Sequence, residues 1–289
     1  MSQNFVISTD TNCDLPLPYA KERGLLLLPL DFILEGVTYH GDEEKITMGE
    51  FYDKMRAGAT PTTTQVNFET ARERFEPLLK EGKDILHLSF SSALSGSYNT
   101  VNMVAQELQE HYPERTILVL DSLCASLGQG LLVHKALNLR DEGKSLEEIA
   151  RWVQDNKLHI CHNFTVEDLK YLYRGGRVSR TTAVVGTALG IKPIMHVDNE
   201  GRLVPCGKVR GRKASLNALV DNMVKQCQGM ENDIFFISHG DCMEEAEYVA
   251  KLVRDKLKIE KCLINHVGAS VGSHSGPGTM ALFFMGNVR

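Results

Sequence analysis

Apolar and polar positions along the chain alternate between two periods. Phe5-Val6-Ile7-Ser8, Leu25 to Leu30, Ile85 to Phe90 and Thr116 to Leu120 are compact apolar or β-branched runs bounded by turn residues, and they read as strands. Between them apolar residues recur at helical spacing, which predicts helices from Phe68 to Leu79, from Ser95 to Gln109 through Val101, Val104, Ala105 and Leu108, and from Gly128 to Arg140. Thr47 with Glu50 and Ser145 with Glu148 form capping boxes; the first opens a helix through Phe51 and Met55 that stops at Gly58, and the second opens one more. Pro61 to Asn67 reads as a polar loop. Strand and helix in alternation build a doubly wound, mostly parallel sheet.

Past residue 155 the pattern changes. Short helices are expected from Val166 to Arg174 and from Arg180 to Ala188, flanking the turn-prone Gly175-Gly176-Arg177. Lys192 to Val197 and Arg202 to Val209 predict a hairpin turning at Asn199-Glu200-Gly201. A helix from Ala214 to Cys227, a strand from Ile234 to Ser238, a helix from Met243 to Leu257, a strand from Cys262 to Val267 and a final apolar run from Met280 to Met285 follow. The expected architecture is therefore α/β in two domains: residues 1–155 as the doubly wound sheet and residues 156–289 as a mixed α+β domain, with a ligand between them.

Net charge narrows the partners. A formal charge of −5 with both signs interspersed argues against nucleic acid, which demands a basic footprint. No basic stretch precedes an apolar run at the N-terminus, and the most apolar segment, Leu25 to Leu34, is broken by Pro29 and Asp31, so the expectation is a cytoplasmic protein. The seven cysteines are scattered without a C-x-x-C pair, which points to neither a zinc ribbon nor a redox dithiol. His159, Cys161 and His162, with His159 and Cys161 on one face of a strand-like stretch, read as structural. No metal or cofactor is expected.

The candidate chemistry lies in four clusters of small polar residues where strands end: Thr9 to Asp14, Thr62 to Gln65, Ser91 to Ser97 and Ser270 to Gly278. In a doubly wound sheet the ligand crevice lies beyond the strands' carboxyl ends, so these clusters should meet. Short hydroxyls and free N–H groups at a helix start suit a carboxylate or phosphate. Each cluster also has a plainer reading as helix caps and turns. His274, in a glycine-rich loop between Ser273 and Ser275, could bond an anion there. Gly268-Ala269-Ser270-Val271-Gly272 matches the nucleophile elbow G-x-S-x-G after a strand, but Gly276, Pro277 and Gly278 are expected to forbid the helix an elbow requires. A serine esterase using this segment is thus an alternative, as is an enzyme of dihydroxyacetone kinase architecture.

Read in order, the segments resemble the DegV family, the fatty-acid-binding subunits of bacterial fatty acid kinase. The matching pieces are Thr9-Asp10-Thr11-Asn12-Cys13-Asp14-Leu15-Pro16, Thr63-Thr64-Gln65, Ser91-Ser92-Ala93-Leu94-Ser95-Gly96, Asp121-Ser122, Tyr171 to Ser179, Ile191-Lys192-Pro193-Ile194, Val209 to Lys213 and Ser273 to Gly278. The resemblance implies a non-catalytic carrier that encloses a long acyl chain between two domains and offers its carboxylate to a separate ATP-dependent kinase, for acyl-phosphate formation and phospholipid synthesis, with room for transient membrane contact. It implies further that Thr63, Ser92, Ser95 and His274 hold the carboxylate of a fatty acid such as palmitate, and that Arg177 engages the kinase. Thr64 stands where the family usually has serine, and Val66 where it has proline. Burial of the acyl chain would contribute about 0.8 kcal/mol per methylene.

Overall fold

The computed structural model describes residues 4–179, 190–287 and 289. The helix expected over Arg180–Ala188 lies outside the described residues. In chain order the first half comprises β1 (Phe5–Asp10), α1 (Leu17–Glu22), β2 (Leu26–Leu28), β3 (Phe32–Leu34), β4 (Val37–Tyr39), α2 (Met48–Arg56) and β5 (Thr62–Thr63). It continues with α3 (Phe68–Lys80), β6 (Asp84–Ser89), α4 (Ser97–His111), β7 (Ile117–Asp121), α5 (Leu127–Asp141) and α6 (Leu146–Asn156). Strands β2-β1-β6-β7, in that order, form an all-parallel sheet whose registers include Ile7 opposite Leu86 and Leu88 opposite Leu120. Both capping boxes form, with Thr47 accepting from the Glu50 N–H and Ser145 from the Glu148 N–H, each at 3.2 Å.

One part of this half departs from the pattern. Pro61 to Asn67 is not all loop: Thr62 and Thr63 are an edge strand paired with β3, in a small antiparallel sheet ordered β4-β3-β5. Strands of two or three residues are too short for alternation to show in sequence. Glu35 and Gly36, both at positive φ (52° and 81°), make the tight turn between β3 and β4.

The second half comprises β8 (Ile160–Thr165), α7 (Lys170–Arg174), β9 (Ile191–Val197), β10 (Leu203–Arg210), α8 (Arg212–Gln226), β11 (Ile234–His239), α9 (Met243–Leu257), β12 (Lys261–His266), α10 (Ala269–Ser275) and β13 (Met280–Met285). Its sheet runs β10-β9-β8-β13-β11-β12, antiparallel except for the β11–β12 pair. The all-apolar run Met280–Met285 is buried along its whole length because it lies inside the sheet, between β8 and β11. The expected Val166–Arg174 helix shrinks to α7, since the Asp168 carboxylate takes the Lys170 N–H at 2.8 Å in a local turn.

α10 overturns an expectation. A helix does form, beginning at Ala269 inside the Gly268–Gly272 segment, because Gly276 (φ 81°) and Pro277 lie beyond its last residue and end the helix instead of preventing it. Its seven residues are held by packing: a Cβ on Gly272 would lie 2.5 Å from the Tyr52 hydroxyl.

The parallel sheet is built entirely from residues before 156 and the six-stranded sheet from residues after it. α5 lies against both. Its Leu127, Leu131, Leu132, Val133, Ala136 and Leu137 are fully buried in one core with Ile7 and Leu88 of the first sheet and Phe164, Phe236 and Phe283 of the second.

Candidate functional site

The two sheets enclose a cavity beyond the carboxyl ends of β1 and β6, and all four polar clusters contribute to it. Asn12, Thr63, Thr64, Ser95, Ser270 and His274 line it. Its remaining wall is largely apolar, including Leu30, Phe90, Leu94, Leu172, Val197 and Phe283. An apolar chamber with a few convergent polar groups is the ordinary form of a small-molecule site.

Three segments build its polar end. Thr63 is carried by β5, which fixes its backbone against Phe32, and its Oγ1 lies 2.8 Å from Nε2 of His274 on α10. His274 comes so close to α7 that a Cβ on Gly175 would sit 2.1 Å from Nδ1, so only glycine fits there. Ser95 Oγ accepts the Ser97 N–H at 3.2 Å and lies 2.9 Å from Ser97 Oγ, at the start of α4. Arg177 ties two of these segments together: Nε and Nη2 donate to the Leu94 carbonyl at 3.1 and 2.9 Å, and Nη1 to the Gly175 carbonyl. Arg177 is half-buried and lines the cavity.

Burial, with Arg177 and Arg174 nearby, lowers the His274 imidazole to about 4, so the ring is neutral at neutral pH. A neutral imidazole carrying its proton on Nε2 donates to Thr63 Oγ1 and leaves the threonine hydroxyl free to donate onward. Of these two arginines, Arg177 lines the cavity and puts a fixed positive charge there. Thr63, Ser95 and Arg177 together can bind an anion through neutral hydroxyls backed by one cation.

The sequence itself places this architecture among known proteins. A family model for DegV, described as a family of uncharacterised proteins, matches residues 4–287. The chain belongs to the DegV family. A DegV domain-containing protein of Clostridium perfringens is 41% identical over 288 residues, covering 99% of both chains. Among solved structures, a DegV family protein from Thermus thermophilus described for fatty acid binding is 30% identical, with a TM-score of 0.87 over 98% of this chain and 100% of its own. A fatty-acid-binding DegV family protein from Streptococcus agalactiae is 29% identical, with a TM-score of 0.86 and 99% of each chain covered.

Against the DegV motifs, the expected residues divide. Thr63, Ser95 and His274 meet in one cavity with Arg177. Ser92 does not join them: it is exposed, lies outside the cavity lining, and contributes its N–H to the Asp121 carboxylate at 3.2 Å. Its neighbour Ser91 points inward instead and donates to the Gly201 carbonyl at 2.9 Å, linking the first sheet's loop to the β9–β10 turn. Ser270 Oγ donates to the Leu30 carbonyl at 3.4 Å, while the nearby imidazole of His274 is engaged by Thr63. His159 lies in a 3-10 turn ahead of β8 and not on a strand face; its Nδ1 is 2.9 Å from the Gly286 carbonyl. His162 Nε2 accepts the Ala125 N–H at 3.1 Å in the cavity wall. Among the described residues no group of three or more His, Cys, Asp or Glu could hold a metal ion, and no helix is long and apolar enough to cross a membrane.

Sequence reasoning did not single out the acids behind the cavity. Asp10, at the end of β1, accepts N–H groups from Phe90 at 2.7 Å and Asn12 at 3.2 Å, and burial raises it to about 6. Asp14, in the left-handed region at φ 53°, accepts from Ser126 Oγ, which is 2.7 Å from Ser238 Oγ on β11. Burial pushes Asp14 up to about 7. The available signal was the Thr9–Asp14 cluster itself, since aspartate tolerates the left-handed conformation a turn there needs.

Proposed function

We propose that this protein binds a long-chain fatty acid in the cavity, with the carboxylate at Thr63, Ser95, His274 and Arg177 and the acyl chain along the apolar wall. The observation that carries this reading is the meeting of Thr63 and His274, 211 residues apart, at 2.8 Å over an apolar chamber. The fatty acid binding of the Thermus thermophilus and Streptococcus agalactiae relatives supports it. Hydroxyl donors strengthen where a charged acceptor replaces a neutral one, so the site favours the ionised acid over an ester or alcohol.

The protein so read is a carrier and not a catalyst. It presents the carboxylate to a separate ATP-dependent kinase in the cytoplasm, and the acyl phosphate formed feeds phospholipid synthesis; brief membrane contact would load the chain, palmitate being one candidate. Arg177 would serve kinase engagement from the cavity wall, through the Leu94–Ser95 loop it holds.

Two measurements test the reading. Mass spectrometry of the solvent-extracted protein, purified from a lipid-replete host, is expected to yield fatty acid at about one per chain; repeated recovery of none would end the proposal. Incubation with a fatty acid kinase catalytic subunit, ATP and magnesium is expected to convert the bound acid to acyl phosphate, and no conversion of demonstrably bound acid would remove the carrier role.

A further inference from the structure

We propose that His162 and Phe283 form the floor of the acyl chamber and set the length of chain it accepts. This rests on the fatty acid reading and adds a specificity to it. The register of the second sheet gives the chamber a top and a bottom. Thr279, just ahead of β13, donates through Oγ1 to the Ser275 and Gly276 carbonyls at 3.0 and 2.8 Å, which ties it to the end of α10 that carries His274. Thr279, Ala281 and Phe283 all line the cavity. Residues along a strand advance about 3.4 Å each, so Phe283 lies about 14 Å below Thr279 and about 7 Å below Ala281. In β8, Phe164 stands opposite Ala281 near the end that leads into α7, and His162 stands opposite Phe283 at the lower level.

At the upper level the sheet face is low, with Ala281 paired between Phe164 and Ser238, and all three line the cavity. At the lower level two rings close it: His162 and Phe283 meet edge to face with centroids 5.2 Å apart. Both nitrogens of this imidazole are engaged, Nε2 by the Ala125 N–H at 3.1 Å and Nδ1 with the Ile160 carbonyl at 2.9 Å. Burial lowers its pKa well below the ordinary value, so the ring is neutral and meets the chain with carbon. α5 holds it from the other side, since a Cβ on Gly128 would sit 2.1 Å from Nε2. The next pair down on this face, Ile160 and Met285, is buried in the core and takes no part in the lining. Each methylene enclosed above the rings strengthens binding about fourfold. A chain whose methyl end reaches further must displace them, and close-packed interiors resist that overpacking.

The test uses the delipidated full chain and displacement of a fluorescent fatty acid by saturated acids of increasing length. Affinity is expected to rise about fourfold per methylene to an optimum and then to fall. Phe283→Ala removes a ring from the floor and is expected to move the optimum to acids longer by about two carbons or more. Phe283→Leu is the gentler companion should the alanine variant not fold, with a smaller shift in the same direction. Leu172→Ala controls for general loosening: Leu172 lines the cavity at its upper end, where its carbonyl accepts the Arg177 main-chain N–H at 2.9 Å. That variant is expected to weaken all lengths alike and leave the optimum in place. An optimum unmoved in the Phe283 variants, or moved as far by Leu172→Ala, overturns the floor while leaving fatty acid binding intact. Affinity that climbs with length and never turns over does the same. Failure of every acid to bind the parent protein overturns the fatty acid reading and this inference with it.

Discussion

Gly175 lacks a side chain where His274 needs the space, and this contact makes a sharp prediction at the scale of single residues. With φ outside the left-handed region, Gly175 tolerates alanine in its backbone, so Gly175→Ala acts through the 2.1 Å clash with Nδ1 alone. The displaced ring is expected to leave Thr63, costing about 1–3 kcal/mol of stability and weakening fatty acid retention together, as read by thermal melting and lipid occupancy. Unchanged occupancy would show that His274 does not hold the ligand. Ser95 and Ser92 form a second contrast. Ser95→Ala should reduce affinity by the about 1.5–3 kcal/mol of a hydrogen bond to a charged group, and Ser92→Ala should leave affinity unaltered because that side chain faces solvent. Titration calorimetry separates the two. The motif named both serines, but the turn after β6 decides which hydroxyl points inward, and a turn's direction is not written in residue type.

Among the elements, the β4-β3-β5 sheet has more influence than its size suggests, because β5 aims Thr63. Its anchor is Phe32, stacked on Tyr39 at 5.0 Å and edge-on to Phe51 at 5.5 Å. Phe32→Ala is expected to destabilise the protein by about 3–5 kcal/mol in denaturant titration. It should also weaken fatty acid binding, since Thr63 pairs with Phe32 directly. Stability lost with affinity intact would mean that Thr63 is positioned by His274 and not by its strand. Most other elements were legible in sequence because their signals are local: capping boxes three residues apart, apolar repeats over the length of one helix, a continuous apolar β13. The small sheet and α10 were not, since neither has length enough to show a period and both depend on packing against α2 residues such as Phe51 and Tyr52.

For the whole molecule, Asp14 joins the two sheets, accepting from Ser126 at the head of α5 while its main-chain carbonyl accepts from Asn265 Nδ2 at 2.8 Å. Its pKa is raised from 3.8 to about 7, so between those values the folded state holds more protons than the unfolded one and stability falls as pH rises. Asp10, raised to about 6, acts in the same sense. The buried imidazoles work oppositely: His274 at about 4 and His87 at about 3 lie below the ordinary 6.5, so they remove stability as pH falls through that range. Asp14→Asn is accordingly expected to lessen the loss of unfolding free energy between about pH 5 and about pH 8 relative to the parent protein, measured by denaturant titration at each pH. An identical slope in both proteins would show Asp14 to be ionised throughout.

By itself the sequence determined the longer helices, the longer strands, the alternation that makes the first sheet parallel, and the four polar clusters, because each follows from interactions among residues a few positions apart. Tertiary structure alone decided that α5 serves both sheets, that Thr63 meets His274 across 211 residues, that Arg177 turns into the cavity wall, and that Ser95 rather than Ser92 lines the chamber. Those outcomes depend on how distant segments close around a shared core, and no local pattern carries that closure.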